Sequence, residues 1–354
     1  MRGGAWWLGL AIGAAVSGPI PAAEAVRVPV PKSQPDVILY VGSYPGWPWV
    51  TGGKGGRLYC VFREGSRHMF SAEGRVMFCA SPDKGRTWSR PVVIADHPGV
   101  DDRNAAVTEL ADGDLLVVFN TYTRDGKSLA MSVRSRDQGR TWTRPTPIDR
   151  PNTRTRAAPI QLADGTVLLP YYIAPGNGAL AAWSRDGGLH WTTVRVPDAP
   201  GFVGDEWDVL EVEPGRIVGI LRNAHAQRQG FFWKTESRDG GRTWSAPRRT
   251  NVQSRRAPAP AQLCRHGRTP TLIYPDRRMV SVAAVKSADP EFIRWDVNHR
   301  VRCYQYRADG RPIRDGGYAV SVQTGPRERL IVDYEIRREG NRIAGYFVSF
   351  PADW

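Results

Sequence analysis

Apolar residues recur along this chain in short runs that turn signals interrupt before a helix can form. Residues 105–110, 115–120, 129–133 and 142–148 predict four successive strands, with Asp112-Gly113 turning the first hairpin. The next stretch repeats the arrangement with Ala163-Asp164-Gly165 at the same turn, and the one after it with Glu213-Pro214-Gly215. The chain holds 37 Gly and 28 Pro, poor material for long helices and good material for short strands and turns.

The strands are punctuated by a repeat. Residues 81–88, 135–142, 184–191 and 237–244 all fit S-x-D-x-G-x-x-W, with starts 54, 49 and 53 residues apart. An eroded fifth copy runs from Ser287 through Asp289 to Trp295, its start 50 residues beyond the fourth. The motif predicts a tight turn: Asp accepts backbone N–H groups across it, Gly takes a conformation other residues avoid, and Trp buries beneath. Four strands per period of about 50 residues predict an all-β chain, a six-bladed β-propeller with four-stranded antiparallel blades. Five blades carry motifs. The sixth takes three strands from residues 318–350 and a fourth from residues 36–41, so that N- and C-terminal strands close the ring and remove the exposed edge that an open array would leave. The motif turns are expected on the face opposite the pocket.

Composition narrows the partners less sharply. Of 49 basic residues only six are Lys, and the net charge of +14 favours anions. Acidic glycans fit; nucleic acid fits poorly, because the Arg are scattered rather than grouped with stacking aromatics. Residues 1–25 read as a secretory signal: Arg2, an apolar core over residues 5–16, and Ala23-Glu24-Ala25 as a cleavage site. The apolar run is too short to span a membrane. The expectation is a secreted or periplasmic, monomeric single domain over residues 26–354, not inserted in a membrane. Cys60, Cys79, Cys264 and Cys303 then allow up to two disulfides in three pairings. Cys60 with Cys79, on successive strands, and buried free thiols both remain open. No His or Cys spacing calls for a metal, and no cofactor is expected.

These repeats resemble the Asp-box repeats of the sialidase (neuraminidase) superfamily over nearly the whole mature chain. The resemblance implies a Tyr nucleophile activated by a Glu, an Arg cluster for the substrate carboxylate, and an acid/base group. Residues 204–215 followed by Arg222-Asn223 place Glu206 and Arg222 in the Glu and Arg roles, with a surface carboxylate and a solvated turn residue as the plain alternatives. The segment Tyr274-Pro275-Asp276-Arg277-Arg278 offers Arg278, with Arg277 its rival, and Gly316-Gly317-Tyr318 makes Tyr318 the nucleophile. A phenol of ordinary pKa near 10 needs Glu206 as proton acceptor and Arg to favour the phenolate.

Two parts of the family pattern are missing. Tyr44-Pro45-Gly46-Trp47-Pro48-Trp49 carries no Arg where the family's first Arg stands, and the loop over residues 63–74 carries no Asp. That loop offers Arg63 and His68, besides Glu64 and Glu73; the start of the second blade offers Asp101, Asp102 and Arg103; the third offers Arg154 and Arg156. Arg103 and Arg63 are the substitutes for the lost clamp, Arg156 part of a basic floor, and His68 or Asp102 the proton donor. The resemblance and these substitutes together imply an exo-glycosidase for a terminal acidic sugar, sialic acid first. The alternatives are a glycosidase or lyase for a uronate-containing glycan, and a propeller that binds glycans without turning them over.

Overall fold

The computed structural model describes residues 1, 31–224, 230–254, 260–276, 281–305, 316–337 and 340–354. Six antiparallel sheets surround a central axis. Blade 1 is Gly46–Gly52, Leu58–Glu64, Arg75–Ser81 and Val92–Ala95, and blade 2 is Asp101–Glu109, Leu115–Tyr122, Ser128–Ser135 and Thr146–Pro147. In blade 3 the inner strand is broken into Thr153–Thr155 and Ile160–Gln161, both paired with Val167–Ile173, and Ala179–Ser184 and Thr192–Arg195 follow. Blade 4 is Gly204–Glu213, Arg216–Asn223, Gly230–Ser237 and Arg248–Ser254; blade 5 is Gln262–His266, Thr269–Asp276, Ser281–Lys286 and Val301–Gln305. Blade 6 takes Val320–Gly325, Glu328–Glu335 and Asn341–Ser349 from the C-terminal end and Val37–Gly42 from the N-terminal end, pairing from Val37 opposite Gly345 to Gly42 opposite Asn341 with one register break between Ile38 and Tyr40. The ring closes as the strand pattern predicts.

The repeated turn has the expected chemistry. In the second copy Ser135 Oγ accepts the Gly139 N–H at 2.7 Å and donates to Asp137 Oδ1 at 2.8 Å, while Asp137 accepts the Arg140 and Thr141 N–H groups at 3.0 and 2.8 Å. Gly85, Gly139, Gly188 and Gly241 hold φ of 87–89°, where a side chain is strained. The Trp indole donates to the carbonyl of that Gly in the first, second and fourth copies, at 3.0–3.2 Å. Trp191 is the exception: its indole nitrogen is buried with no partner. The fifth copy keeps the Asp289 and Trp295 contacts but puts Phe292 at φ 58° where the others have Gly.

Each turn follows the third strand of its blade, so Ser135 pairs with Leu115 while Tyr122, at the other end of the second strand, pairs with Ser128. The turns therefore lie on the face away from the starts of the inner strands. Two predicted boundaries shift: the fourth strand of blade 2 is only Thr146–Pro147, because Trp142 still belongs to the turn, and its inner strand starts four residues early, at Asp101. Apolar faces pack between blades, the largest cluster joining blades 1, 2, 3 and 6. Polar ties cross the gaps, among them the buried Trp207 indole to the Tyr171 carbonyl at 2.8 Å and Gln262 to the Ser321 backbone at 2.6 and 3.0 Å.

The expected signal segment, apart from Met1, lies outside the described residues. Among the described residues no helix is long and apolar enough to cross a membrane. The four thiols are free; Cys60 and Cys79 stand directly opposite each other on neighbouring strands, both fully buried.

Candidate active site

Three inner strands share a feature at the end of the ring away from the Trp turns. Register breaks fall between Gly46 and Trp49, between Arg103 and Ala106, and between Gly204 and Trp207. Such bulges bend a strand and re-aim its side chains. Trp47 and Asn104, at φ 50° and 55°, sit inside two of them.

In blade 4 the bulge lets consecutive residues, which would otherwise alternate in direction, meet the same partner. Arg222, at the end of the next strand, donates through Nη1 to Glu206 Oε2, and its Nε stands 3.5 Å from Asp205 Oδ2. The Tyr318 hydroxyl donates to Glu206 Oε2 at 3.3 Å and lies 3.5 Å from Arg222 Nη1. Tyr318 reaches this point because Gly316 and Gly317, at φ 119° and 77°, turn the chain just before it. Glu206 is buried, Arg222 and Tyr318 half-buried. A carboxylate touching both a phenol and a guanidinium can take the phenol's proton while the guanidinium favours the resulting anion.

The pocket chemistry shifts neighbouring groups. Burial pushes the Asp205 carboxyl up to about 6, with Arg222 opposing and Glu206 adding to the rise. Burial works against the charged Arg222, but Glu206, Tyr318 and Asp205 outweigh it and hold the guanidinium well above its usual range. The buried Tyr172 phenol is raised by burial, then by Glu206 and Asp205, with Arg154 opposing.

The facing wall comes from blades 1 to 3. Tyr334 sits between Tyr318 and Trp47, with ring centres 6.3 and 6.0 Å away. The His68 ring is edged by Trp47 at 5.2 Å, and its Nδ1 is 3.3 Å from the Tyr44 hydroxyl. Burial of the ring, then the charges of Arg103 and Arg63, lowers the His68 pKa. Arg103 Cζ stands 4.1 Å from the Trp47 ring centre, and its Nη2 donates to the His68 carbonyl at 3.2 Å.

The other candidates are placed differently. Arg63 is fully buried in a bidentate pair with Asp101, at 2.7 and 2.9 Å, and supports the wall from behind. Asp102 is also fully buried; its carboxylate accepts the His97 N–H at 2.8 Å and lies 2.9 Å from His97 Nδ1. Strand alternation turns it away from Asp101 and Arg103, so it does not join the Tyr318 group. Arg156 lies behind the nucleophile candidate, donating to the Tyr318 carbonyl at 3.2 Å, with its Cζ 5.2 Å from the Tyr318 ring centre. Glu64 accepts the Ser43 N–H and Glu73 accepts from the hydroxyls of Ser66 and Ser71. Arg277 and Arg278 lie outside the described residues; Asp276, just before them, pairs with Arg300 at 2.9 Å.

Asp205, Tyr172 and Trp47 are functional candidates that sequence reasoning passed over. A cavity of about 340 Å³ lies elsewhere, along the ring axis, lined by inner-strand residues such as Thr108, Asp208, Gln262 and Ser321. It contains none of the Glu206, Arg222 and Tyr318 group.

A family model described as a BNR repeat-like domain matches residues 56–294. No curated protein matches the chain. The structure is similar to that of a protein of unknown function from Dyadobacter fermentans, with 21% identity, TM-score 0.75, and coverage of 89% of this chain and 98% of the other. It is similar to the intramolecular trans-sialidase of Ruminococcus gnavus, solved with oseltamivir carboxylate, at 11% identity and TM-score 0.68, covering 91% and 97%. It is also similar to the alpha-L-arabinanase of Penicillium chrysogenum, solved with arabinobiose, at 15% identity and TM-score 0.63, covering 90% and 99%. At such identities the likeness is one of fold.

Proposed function

The chain belongs to the BNR repeat-like domain family, and we propose that it is a retaining glycoside hydrolase for an acidic sugar, with Tyr318 as nucleophile. The observation that carries this reading is the shared contact of Tyr318 and Arg222 with one carboxylate oxygen of Glu206. Glu206 accepts the phenol proton, and the Tyr318 oxygen attacks the anomeric carbon as the bond to the leaving oxygen breaks. His68, on the facing wall, gives that oxygen its proton. Water then attacks the aryl glycoside, its proton going to His68, and the phenolate leaves to recover its proton from Glu206. Among relatives of the fold, one acts on sialic acid and another on arabinan by their names, so an α-sialoside is the first substrate to try and other glycosides come after it. The N-terminal signal pattern supports secretion or export to the periplasm.

A second reading has its own observation. Tyr44 and His68 form a polar pair at 3.3 Å beside Arg103, the set needed to abstract a proton beside a uronate carboxylate that Arg neutralises. One experiment separates the two. The protein is given a fluorogenic sialoside and uronate oligosaccharides, following released fluorophore and absorbance of new unsaturated ends. Hydrolysis that Tyr318→Phe abolishes supports the first reading. Elimination that survives Tyr318→Phe and is lost in Tyr44→Phe replaces it with the second, and binding without either signal leaves a non-catalytic glycan binder.

A further inference from the structure

Positive charge in the pocket is unevenly placed. Arg222 meets two carboxylates, Asp205 and Glu206, so its charge is already answered. On the facing wall Arg63, Arg103 and Arg154 gather about Trp47 and Tyr122, and among the described residues Asp101 is the one carboxylate within ion-pair reach of any of them. Arg63 takes Asp101 bidentately, and Arg103 reaches it only at 3.5 Å. Among the described residues Arg154 has no carboxylate within ion-pair reach; it touches the Ser128 hydroxyl at 3.3 Å and lies over Tyr122.

These two guanidiniums are built into the fold. The Arg103 side chain is 13% exposed, and Cζ of Arg103 and of Arg154 stand 5.4 and 4.7 Å from the centre of the same Tyr122 ring. Ring contacts of this kind cover a guanidinium's face and leave its N–H edge for hydrogen bonding. Arg154 is half-buried, and two like charges on one ring, one of them almost out of water, are costly until an anion joins them. Burial depresses the Arg103 pKa, Asp101 opposes, and Arg63 and Arg154 depress it further.

We infer that Arg103 and Arg154 form an anion seat separate from Tyr318, Glu206 and Arg222. The sugar bound here carries its carboxylate or sulfate away from the bond being broken, as a uronic acid or a sulfated sugar does. The inference rests on the glycosidase reading of the pocket, and it moves the acidic group from the reacting carbon to the far side of the ring.

Binding tests it without turnover. The Tyr318→Phe protein is titrated calorimetrically with D-glucuronate, D-glucose 6-sulfate and D-glucose. The expected result is an acid bound at least roughly tenfold more tightly than glucose, as for hydrogen bonds to a charged partner. Added salt should erode that advantage, Arg103→Gln and Arg154→Gln should each remove most of it, and the tighter acid identifies the group. Arg103→Lys keeps the charge and should retain a salt-sensitive preference, which guards against variants that misfold. Equal binding of acid and neutral sugar, binding of neither acid, or a preference intact in both Gln variants overturns the seat. Hydrolysis by the wild type with acid preference unchanged in those variants overturns the seat alone and leaves the Tyr318 reading standing. An acid preference lost in both supports the seat even if no glycoside is cleaved.

Discussion

Glu206→Gln is the sharpest probe of the proposed chemistry, because it changes one charge and almost no volume. In the wild type a single oxygen of Glu206 accepts from both Tyr318 and Arg222. The amide can still accept from both but cannot hold the phenol's proton, and removing a general base typically costs about 10²–10⁴ in rate, or about 3–5 kcal/mol of barrier. The structural cost is smaller. Arg222 keeps Asp205 at 3.5 Å, so the guanidinium is not stranded, and about 1–3 kcal/mol of stability should be lost with one charge-assisted hydrogen bond. There is also an electrostatic signature: the negative charge of Glu206 adds to the burial that holds Asp205 near 6, so in the variant Asp205 should titrate lower. The assays are kcat/KM on whichever glycoside is turned over, a thermal melt, and carboxyl NMR of Asp205. A folded variant within about threefold of wild-type kcat/KM, far short of a lost base, would refute Glu206 as proton acceptor. A loss fully matched by unfolding at the assay temperature would make its role structural.

Other outcomes rest on the same geometry. If His68 donates the proton, its lowered pKa means that hydrolysis falls as pH rises through a midpoint below 6.5, and His68→Gln should remove that limb from the pH–rate profile. Asp239→Ala removes acceptors for the Arg242 and Thr243 N–H groups and the Ser237 and Thr243 hydroxyls, so calorimetry should show a loss of about 2–4 kcal/mol at roughly 1 kcal/mol per bond. Hydrogen bonds lower the Asp239 pKa against its partial burial, so this contribution is present above the ordinary carboxyl pKa and is lost as pH falls below it. Phe292→Gly relieves a left-handed residue, about 1–2 kcal/mol, but empties a site only 5% exposed, about 3–5 kcal/mol; a melt should show net destabilisation, and a rise would mean that strain dominates. A thiol reagent should find Cys60, Cys79 and Cys303 inert in the native protein and all four Cys after denaturation; two thiols instead of four would point to a bridge between Cys60 and Cys79.

The architecture was legible because Ser, Asp, Gly and Trp each have one physical job in the repeated turn, so their spacing counts blades directly. The meeting of Glu206, Arg222 and Tyr318 was expected from resemblance, and their strand positions are compatible with it. Asp205 was not legible, since period-2 alternation sends it away from Glu206 and only the bulge between Gly204 and Trp207 brings both to Arg222. The same rule, applied at Asp102, would have excluded it from the pocket, for there the strand alternates normally until after Arg103. Trp47 carries no signal of its own at a position where the family pattern has an Arg; the Arg that packs on it, Arg103, comes from the next blade.

The closure of blade 6 carries a consequence for how the molecule is made. Val37 pairs with Gly345, so the first of the described strands finds its neighbour only when almost the whole chain exists. Contacts of such long sequence separation slow folding, because the entropy of closing the loop must be met before the pairing can repay it. Until then the strand over residues 37–42 waits with an unpaired edge, and so does the growing array at its other end, each a template for another nascent chain. Truncating the last strand should therefore do more than weaken one blade. It leaves two open edges, and the expected product is aggregate rather than a five-bladed survivor.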